Sequence, residues 1–171
     1  MPVARSEVLL EQMKKAALTI FGRLPAPVRR LAVRLGTPNF TVGALCVLVH
    51  GDRVLVLCQR HRPDWSLPGG LLGRGEDPAT AVAREVQEEL GIDVEVGSPV
   101  TALVDPRMQR VDIVYRVDLD ESVDVTPQAE VRYARWMRPD ELGEGDWITR
   151  DVLTAVATAA RPGSTEGRVV P

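Results

Sequence analysis

The sequence predicts a mixed α/β (α+β) domain preceded by a helical extension, and three observations predict this fold class. Residues 41–60 hold two runs rich in β-branched residues, as strands do. Residues 78–90 repeat apolar side chains every three or four positions, as amphipathic helices do. Strand-like and helix-like segments interleave without an internal repeat, which favours a mixed α and β single domain.

The composition is that of an ordinary globular protein. The chain has 171 residues, of which 44% are hydrophobic and 26% are charged, enough for one domain with a sizeable core. Its formal net charge of -3 gives no reason to expect a nucleic-acid polymer as partner. The longest apolar run, 41–49, is too short to span a membrane, and the N-terminus lacks the features of a signal peptide. These observations favour a cytoplasmic protein.

Residues 1–38 are predicted to form the helical extension. Apolar residues recur at helical spacing over 6–22, and a second short helix is predicted within 25–36. Residues 1–36 contain seven Lys or Arg and two Glu, a surplus of five positive charges, so the remainder of the chain carries -8. Such a basic segment is compatible with contact to a membrane surface, with a homodimer contact, or with a solvated face of a packing helix.

Residues 39–161 are predicted to form the α/β domain itself. Its first two strands, 41–49 and 53–60, flank the turn residues His50, Gly51 and Asp52 and predict a hairpin. The further elements are strands at 94–104, 109–119 and 130–137, and helices at 78–90, 139–144 and 148–160. Residues 162–171 are predicted to be a frayed, flexible tail.

The predicted helix 78–90 carries an unusual number of carboxylates. Asp77 before Pro78 is a typical helix start, and Gly91 is a typical stop. At about 100° per residue, the side chains of Glu85, Glu88 and Glu89 fall within one arc, beside an apolar arc that would pack on the sheet. The apolar arc consists of Ala79, Val82, Ala83, Val86 and Leu90.

Three ionised carboxylates this close raise one another's pKa unless a positive charge lies between them. A divalent cation is the natural candidate, and ligands that are all oxygen favour Mg²⁺ or Mn²⁺ over zinc or copper. Since Mg²⁺ commonly completes its coordination with substrate phosphate, the cluster predicts a small phosphate-containing substrate. The alternative interpretation is a solvated acidic helix face.

The same segment resembles the signature of the Nudix hydrolase family (MutT-like). That signature requires glycine, glutamate, arginine and aliphatic residues at nine fixed positions over 23 residues. The chain supplies all nine in order: Gly70, Glu76, Arg84, Glu85, Val86, Glu88, Glu89, Gly91 and Ile92. A match at nine positions is highly specific. The order of the surrounding elements extends the resemblance to about residues 40–160.

The resemblance implies an α/β/α sandwich with a mixed β-sheet and the activity of a Nudix pyrophosphohydrolase. Such enzymes hydrolyse a diphosphate linkage in a nucleoside diphosphate derivative by attack of water on phosphorus. A nucleoside triphosphate, a nucleotide sugar such as ADP-ribose and a dinucleotide all remain open as substrates. The alternative from another functional class is a catalytically silent Nudix-fold nucleotide sensor or interaction module, which the intact signature disfavours.

The resemblance also implies roles for the acidic residues of the signature. Glu85, Glu88 and Glu89 would bind Mg²⁺ or Mn²⁺, and Glu85 or Glu89 would also activate water. Gly69 would offer its backbone carbonyl as a further metal ligand. Arg84 and Glu76 would form a supporting pair that holds the carboxylates in place.

Three further positions are implied: Gly70 within the signature, and Arg74 and Glu130 with less specific signals. Gly70 would let the backbone approach metal and phosphate closely, because it has no side chain. Arg74 in the preceding loop would contact phosphate, with a solvated arginine as the alternative. Glu130, six residues before Trp136, is the candidate metal ligand outside the signature, with a surface glutamate at a strand start as its alternative.

Overall fold

The structure of the chain is a computed structural model that describes residues 3–61, 64–120, 123, 125–128, 130–143, 147–159 and 168–169. Its residues group into two compact units, divided between Asn39 and Phe40. The first unit contains helix α1, Val3–Arg23, and helix α2, Ala26–Gly36. Both predicted N-terminal helices are therefore confirmed. No helix in the described part of the chain is both long enough and apolar enough to cross a bilayer.

The second unit is built on a mixed sheet. Its long strands are β1 Thr41–His50, β2 Arg53–Gln59, β7 Arg110–Asp118 and β8 Val131–Met137, and β1 and β2 form the predicted hairpin. β1 and β7 are parallel, whereas the other strand pairs are antiparallel. The shorter strands of this sheet are β3 Trp65–Ser66, β4 Gly69–Leu71 and β6 Thr101–Asp105. Strands β5 Val94–Glu95 and β9 Arg168–Val169 form a separate two-stranded sheet.

Helices cover both faces of this sheet. Ala44, Cys46 and Leu48 of β1 belong to the core that packs on helix α3, Pro78–Leu90. The alternate residues Leu45 and Val47 belong to the core that packs on helix α4, Trp147–Ala159. Because side chains alternate across a strand, one strand contributes to both layers. The predicted α/β/α sandwich with a mixed sheet is confirmed.

Three sequence predictions differ from the structure in detail. The single strand predicted at 94–104 is wrong, because Gly97, Ser98 and Pro99 interrupt the ladder and leave β5 and β6 as separate strands. The predicted helix at 139–144 is a short 3-10 helix, Pro139–Glu141, and residue 144 lies outside the described residues. Within the predicted tail, β9 pairs with β5, while the other residues of 162–171 also lie outside the described residues.

Candidate active site

Helix α3 carries the acidic residues of the candidate site, and its ends are fixed locally. The side chain of Asp77 accepts hydrogen bonds from the backbone N–H groups of Ala79 and Thr80 at 3.0 and 3.2 Å. Gly91 ends the helix in the left-handed conformation, at φ 71°. Both predicted caps are confirmed. Together they fix the two ends of the helix, and therefore the direction in which each glutamate points.

Arg84 connects three of the carboxylates. Its Nε and one terminal nitrogen donate to the two oxygens of Glu76 at 2.9 and 3.2 Å. Its other terminal nitrogen, Nη1, donates to Glu85 at 2.9 Å and to Glu88 at 3.1 Å. The bonds to Arg84 lower the pKa of Glu76, and the bonds to Glu76 and Glu85 raise the pKa of Arg84. The guanidinium therefore neutralises part of the charge of the helix face and holds Glu85 and Glu88 on either side of one nitrogen.

Glu85 lies against the backbone of strand β4. A methyl group on Gly70 would fall 2.5 Å from Glu85 Oε1, so the carboxylate occupies the space that a larger residue would fill. Gly70 itself pairs with Ala44 of β1, which fixes the backbone beneath the carboxylate. The absence of a side chain at residue 70 is therefore what allows Glu85 to sit on the strand.

Glu89 is set apart from the other acidic residues by burial. It is 7% exposed, whereas the side chain of Glu88 is 52% exposed. Its carboxylate accepts hydrogen bonds from the Gly69 backbone N–H at 3.0 Å and from Gln59 Nε2 at 2.9 Å. The three glutamates thus share one side of the helix, as predicted, but Glu89 lies beneath the end of strand β2 instead of facing solvent.

The surroundings of Glu89 shift the pKa of its carboxyl group into the neutral range. Burial, the largest cause, raises the pKa of Glu89 to about 7, and the charges of Glu85 and Glu88 act in the same direction. The hydrogen bonds from Gly69 and Gln59 act in the opposite direction but do not outweigh burial. A carboxylate with a pKa near neutral pH is suited to accepting a proton during a reaction.

Gly69 and Gln59 hold this carboxylate from two different strands. Gly69 adopts φ 141°, and a side chain there would collide with the Ala44 carbonyl oxygen, so the position requires glycine. The Gln59 side chain, which the sequence analysis missed, lies on the α3 side of β2. A signal existed, because Leu55 and Leu57 face the same core and Gln59 continues their alternation at the end of the strand.

The two candidates with weaker signals lie outside this cluster. Glu130 Oε2 contacts His61 Nδ1 at 3.1 Å, and its backbone carbonyl accepts from Arg60 N–H at 3.0 Å. Its neighbour Val131 pairs with Gln59, so Glu130 lies one residue from a strand position that supports Glu89. Arg74 is exposed and has no hydrogen bond or ion pair with any residue that the structure describes. The structure thus brings Glu76, Arg84, Glu85 and Glu88 into direct contact, but not Glu130 or Arg74.

Comparison with known sequences decides the family. The sequence profile of the NUDIX domain matches residues 39–156, which is more than half of the chain. The chain belongs to the Nudix hydrolase family. The matched range contains strands β1 to β8 and the complete acidic helix α3, and it ends within α4.

Individual Nudix relatives agree with this assignment. A MutT-like protein from Streptomyces ambofaciens is 36% identical over 108 residues, 63% of this chain and 70% of the relative. A candidate 8-oxo-dGTP diphosphatase from Mycobacterium tuberculosis is 36% identical over 113 residues, 61% of this chain and 77% of the relative. The chain is therefore a Nudix pyrophosphohydrolase.

A solved structure supports the fold. The crystal structure of a NUDIX hydrolase from Nitrosomonas europaea superimposes with a TM-score of 0.62 at 21% identity. The superposition covers 76% of this chain and 77% of the other. At this level of identity the likeness concerns the fold alone.

Nudix enzymes generally use divalent cations, and the donor atoms on α3 fit such an ion. They are all carboxylate oxygens, which suit hard cations such as Mg²⁺ and Mn²⁺. Glu85 also sits in a space that a side chain at Gly70 would fill. Among the described residues, no three His, Cys, Asp or Glu side chains converge as a metal site in this conformation. Glu85 and Glu88 bind Arg84, while Glu89 binds Gln59 and Gly69.

A cavity of about 640 Å³ lies on the opposite face of the Nudix sheet, beneath α4. Its walls are mostly apolar, and Thr149 and Arg150 of α4 contribute polar groups. Trp65, which also lines it, accepts a hydrogen bond from Thr149 Oγ1 at its carbonyl, at 3.2 Å. Asp52 and Arg116 add charged groups. The remaining apolar lining consists of Val47, Val49, Val54, Pro139, Leu142, Leu153 and Val156.

Proposed function

We propose that this enzyme hydrolyses a diphosphate linkage in a nucleoside diphosphate derivative, in a reaction that requires Mg²⁺ or Mn²⁺. One observation carries the proposal. Glu89 is buried, is held by Gly69 N–H and Gln59, and has a pKa raised to about 7 beside two further carboxylates. The alternative interpretation, a solvated acidic helix face, does not account for a buried carboxylate that residues of two strands hold in place.

In this proposal Glu89 is the general base. Water attacks one phosphorus atom, the bond from that phosphorus to the bridging oxygen breaks, and Glu89 accepts the proton that the water loses. Two phosphate-containing products leave. Gln59 and Gly69 keep the carboxylate of Glu89 oriented, since each occupies one of its oxygens.

Glu85, Glu88 and Glu89, with the Gly69 carbonyl, would hold the cation, and Glu130 is the candidate ligand outside the helix. When bound, the cation neutralises phosphate charge and increases the acidity of a bound water. Arg84 acts as a positioning residue, because its guanidinium keeps Glu85 and Glu88 within 2.9 and 3.1 Å of one nitrogen and is itself anchored on Glu76. Gly70 and Arg74 would contact the phosphates.

The cavity beneath α4 is the proposed site for the group attached to the diphosphate. Trp65, in its wall, is only four residues before Gly69, whose N–H donates to Glu89 of the acidic helix, so the Cα atoms of Trp65 and Gly69 are at most about 14 Å apart. Apolar walls with a few polar groups suit a flat heterocyclic base. The relative named as a candidate 8-oxo-dGTP diphosphatase supports a nucleotide as the substrate class.

Replacement of the base tests the proposed mechanism. Glu89→Gln keeps the shape of the side chain and one of its two acceptor oxygens but removes the ability to take a proton. We expect kcat to fall by a factor on the order of 10²–10⁴ with saturating Mg²⁺. Asp93→Asn, which removes an exposed carboxylate just beyond α3, is the matched control and should retain wild-type turnover. Full turnover by Glu89→Gln would refute the role of Glu89.

The reaction class is tested by product analysis. Nucleoside triphosphates, nucleotide sugars and dinucleotides are incubated with the enzyme and Mg²⁺ in ¹⁸O-labelled water. The label should appear in a phosphate group of one product, which identifies the phosphorus that water attacks. Tight nucleotide binding without any turnover would instead support the alternative of a nucleotide sensor.

The substrate-class proposal is tested by filling the cavity. Leu153→Trp places a larger ring at the wall formed by α4 and should raise KM for the preferred nucleotide about tenfold, with kcat nearly unchanged. Hydrolysis of a diphosphate ester with a small alkyl group should be unaffected. An equal effect on both substrates would contradict a role of the cavity in recognising the base.

A further inference from the structure

The two N-terminal helices expose apolar faces to solvent. On α2, Val28, Leu31 and Leu35 lie within an arc of about 60° and are all exposed. None of the residues of α2 is buried. An exposed apolar face of this length is uncommon on a surface that stays in water.

The apolar face of α1 has the same character. Leu9, Met13 and Ile20 project from one side of the helix, and each is more than half exposed. Their spacing continues for only about two heptads, which is shorter than the three or four that a coiled-coil partner requires. The two helices therefore resemble surface-seeking amphipathic helices more than half of a coiled coil.

The polar side of α2 is strongly basic. Arg29, Arg30 and Arg34 line a shallow groove of about 430 Å³ together with Phe21 and Val33. None of the three arginines pairs with a carboxylate among the residues that the structure describes. A cluster of unpaired guanidinium groups beside apolar side chains is suited to phosphate headgroups, because arginine binds phosphate oxygens with two parallel hydrogen bonds.

We propose that α1 and α2 form a docking surface for an anionic membrane, with both helices lying on the bilayer. The occupant follows from charge complementarity: the first 36 residues carry five excess positive charges, which anionic lipid headgroups would neutralise. The apolar faces would enter the boundary between headgroups and acyl chains. The proposal does not depend on which substrate the Nudix domain hydrolyses.

A second copy of the chain fits this surface less well. A twofold contact places the same patch against itself, so it would bring two basic surfaces together. Such juxtaposition of like charges opposes association. The remainder of the chain carries -8, so residues 1–36 are also the part of the sequence that an anionic surface attracts most strongly.

Vesicle flotation with the full chain tests the proposal. We expect partitioning onto vesicles of phosphatidylcholine mixed with phosphatidylglycerol to exceed partitioning onto pure phosphatidylcholine at least about tenfold, and to weaken with salt. Equal binding to both vesicles, or binding to neither, would overturn it. Pyrophosphohydrolase turnover is measured in parallel, so that a failure of docking and a failure of the proposed function remain distinguishable.

Matched variants locate the surface. Arg29→Glu, Arg30→Glu and Arg34→Glu, combined, should reduce vesicle binding at least about tenfold and leave turnover in solution unchanged. The control combines Arg53→Glu, Arg107→Glu and Arg135→Glu, three exposed arginines beyond residue 40, and changes the net charge equally. We expect the control to bind as the wild type does. Similar losses in both combinations would refute a specific surface and indicate attraction by net charge alone.

An uncharged pair of substitutions separates the membrane from a protein partner. Leu31→Gln with Leu35→Gln should weaken vesicle binding several-fold without altering the charge. Mass in solution is measured over a range of concentrations for the wild type and this variant. If the wild type self-associates without lipid and the variant does not, while neither binds vesicles, the surface is a contact between copies and the proposal is wrong.

Discussion

Helices α2 and α3 are both amphipathic, yet only α3 has its apolar side covered. Val86 of α3 is 0% exposed, whereas Leu35 of α2 is 80% exposed. The polar sides differ as well, because Arg84 joins Glu85 and Glu88 on α3, while α2 has three arginines without carboxylate partners among the described residues. An amphipathic pattern therefore indicates which side of a helix avoids water, but not what will cover it.

The largest expected difference between the helices is in how strongly a substitution on the apolar side lowers the stability of the protein. Val86→Asp places an unpaired charge in the core and should lower the free energy of unfolding by more than about 4 kcal/mol. Leu35→Asp should change it by less than about 0.5 kcal/mol. All three tryptophans lie beyond residue 40, so their fluorescence during urea unfolding reports on the Nudix domain.

Val86→Ala provides a milder version, with an expected loss of about 2 kcal/mol, in case the charged variant does not fold. If Leu35→Asp destabilised the protein as strongly as Val86→Asp, the apolar side of α2 would be covered in solution and the comparison between the helices would fail.

The second difference between the helices concerns how stability depends on pH. α2 contains no carboxylate, whereas α3 contains Glu89, whose pKa is raised from 4.5 to about 7. Between these values the folded state holds a proton that the unfolded state has lost, so stability falls as pH rises through this window. The free energy of unfolding should fall by on the order of 3 kcal/mol by pH 8 in the presence of a chelator. Urea unfolding of the wild type and Glu89→Gln from pH 4.5 to 8 measures it; parallel curves would contradict the prediction.

Glycine has different structural roles in the two units. Gly70→Ala should displace the Glu85 carboxylate and lower kcat at least about tenfold, with little change in the urea midpoint. Gly36 at the end of α2 has open space around it, so Gly36→Ala is the matched control and should leave turnover unchanged. Unchanged turnover of Gly70→Ala would show that Glu85 does not need its position on β4.

The smallest expected effect is at the start of the helices. Asp77→Ala removes the side chain that caps α3 and should cost about 1 kcal/mol, while Asp77→Ser should restore most of it. α2 begins after Pro25 without a side-chain cap, so it has no comparable hydrogen bond to lose. Urea unfolding measures the difference. Equal stability of the Ala and Ser variants would indicate that the cap contributes nothing.

Features determined by local sequence could be predicted. Asp77 and Gly91 were identified as helix ends because caps depend on neighbouring residues alone. The Arg84–Glu76 contact was expected from the family resemblance and is present at 2.9 Å. The catalytic and metal-binding roles of these residues remain predictions.

Features that depend on distant residues could not be predicted. Helical spacing placed Glu85, Glu88 and Glu89 on one side of α3, but it contained no information about strand β2, which buries Glu89. The short strands β3 and β4 were missed for the same reason, since each exists by pairing with β2 or β1 and has too few residues for a pattern. The interruption of 94–104 does have a local signal, because Gly97 and Pro99 both disfavour a continuous strand.

The contact of one guanidinium with three carboxylates has a consequence for how the enzyme binds its cation. Arg84 serves as a built-in counter-ion, so the acidic face of α3 is compatible with a folded protein before any cation arrives. Purification in a chelator should therefore yield native, inactive protein, and adding the ion should restore turnover within mixing time, with no refolding phase.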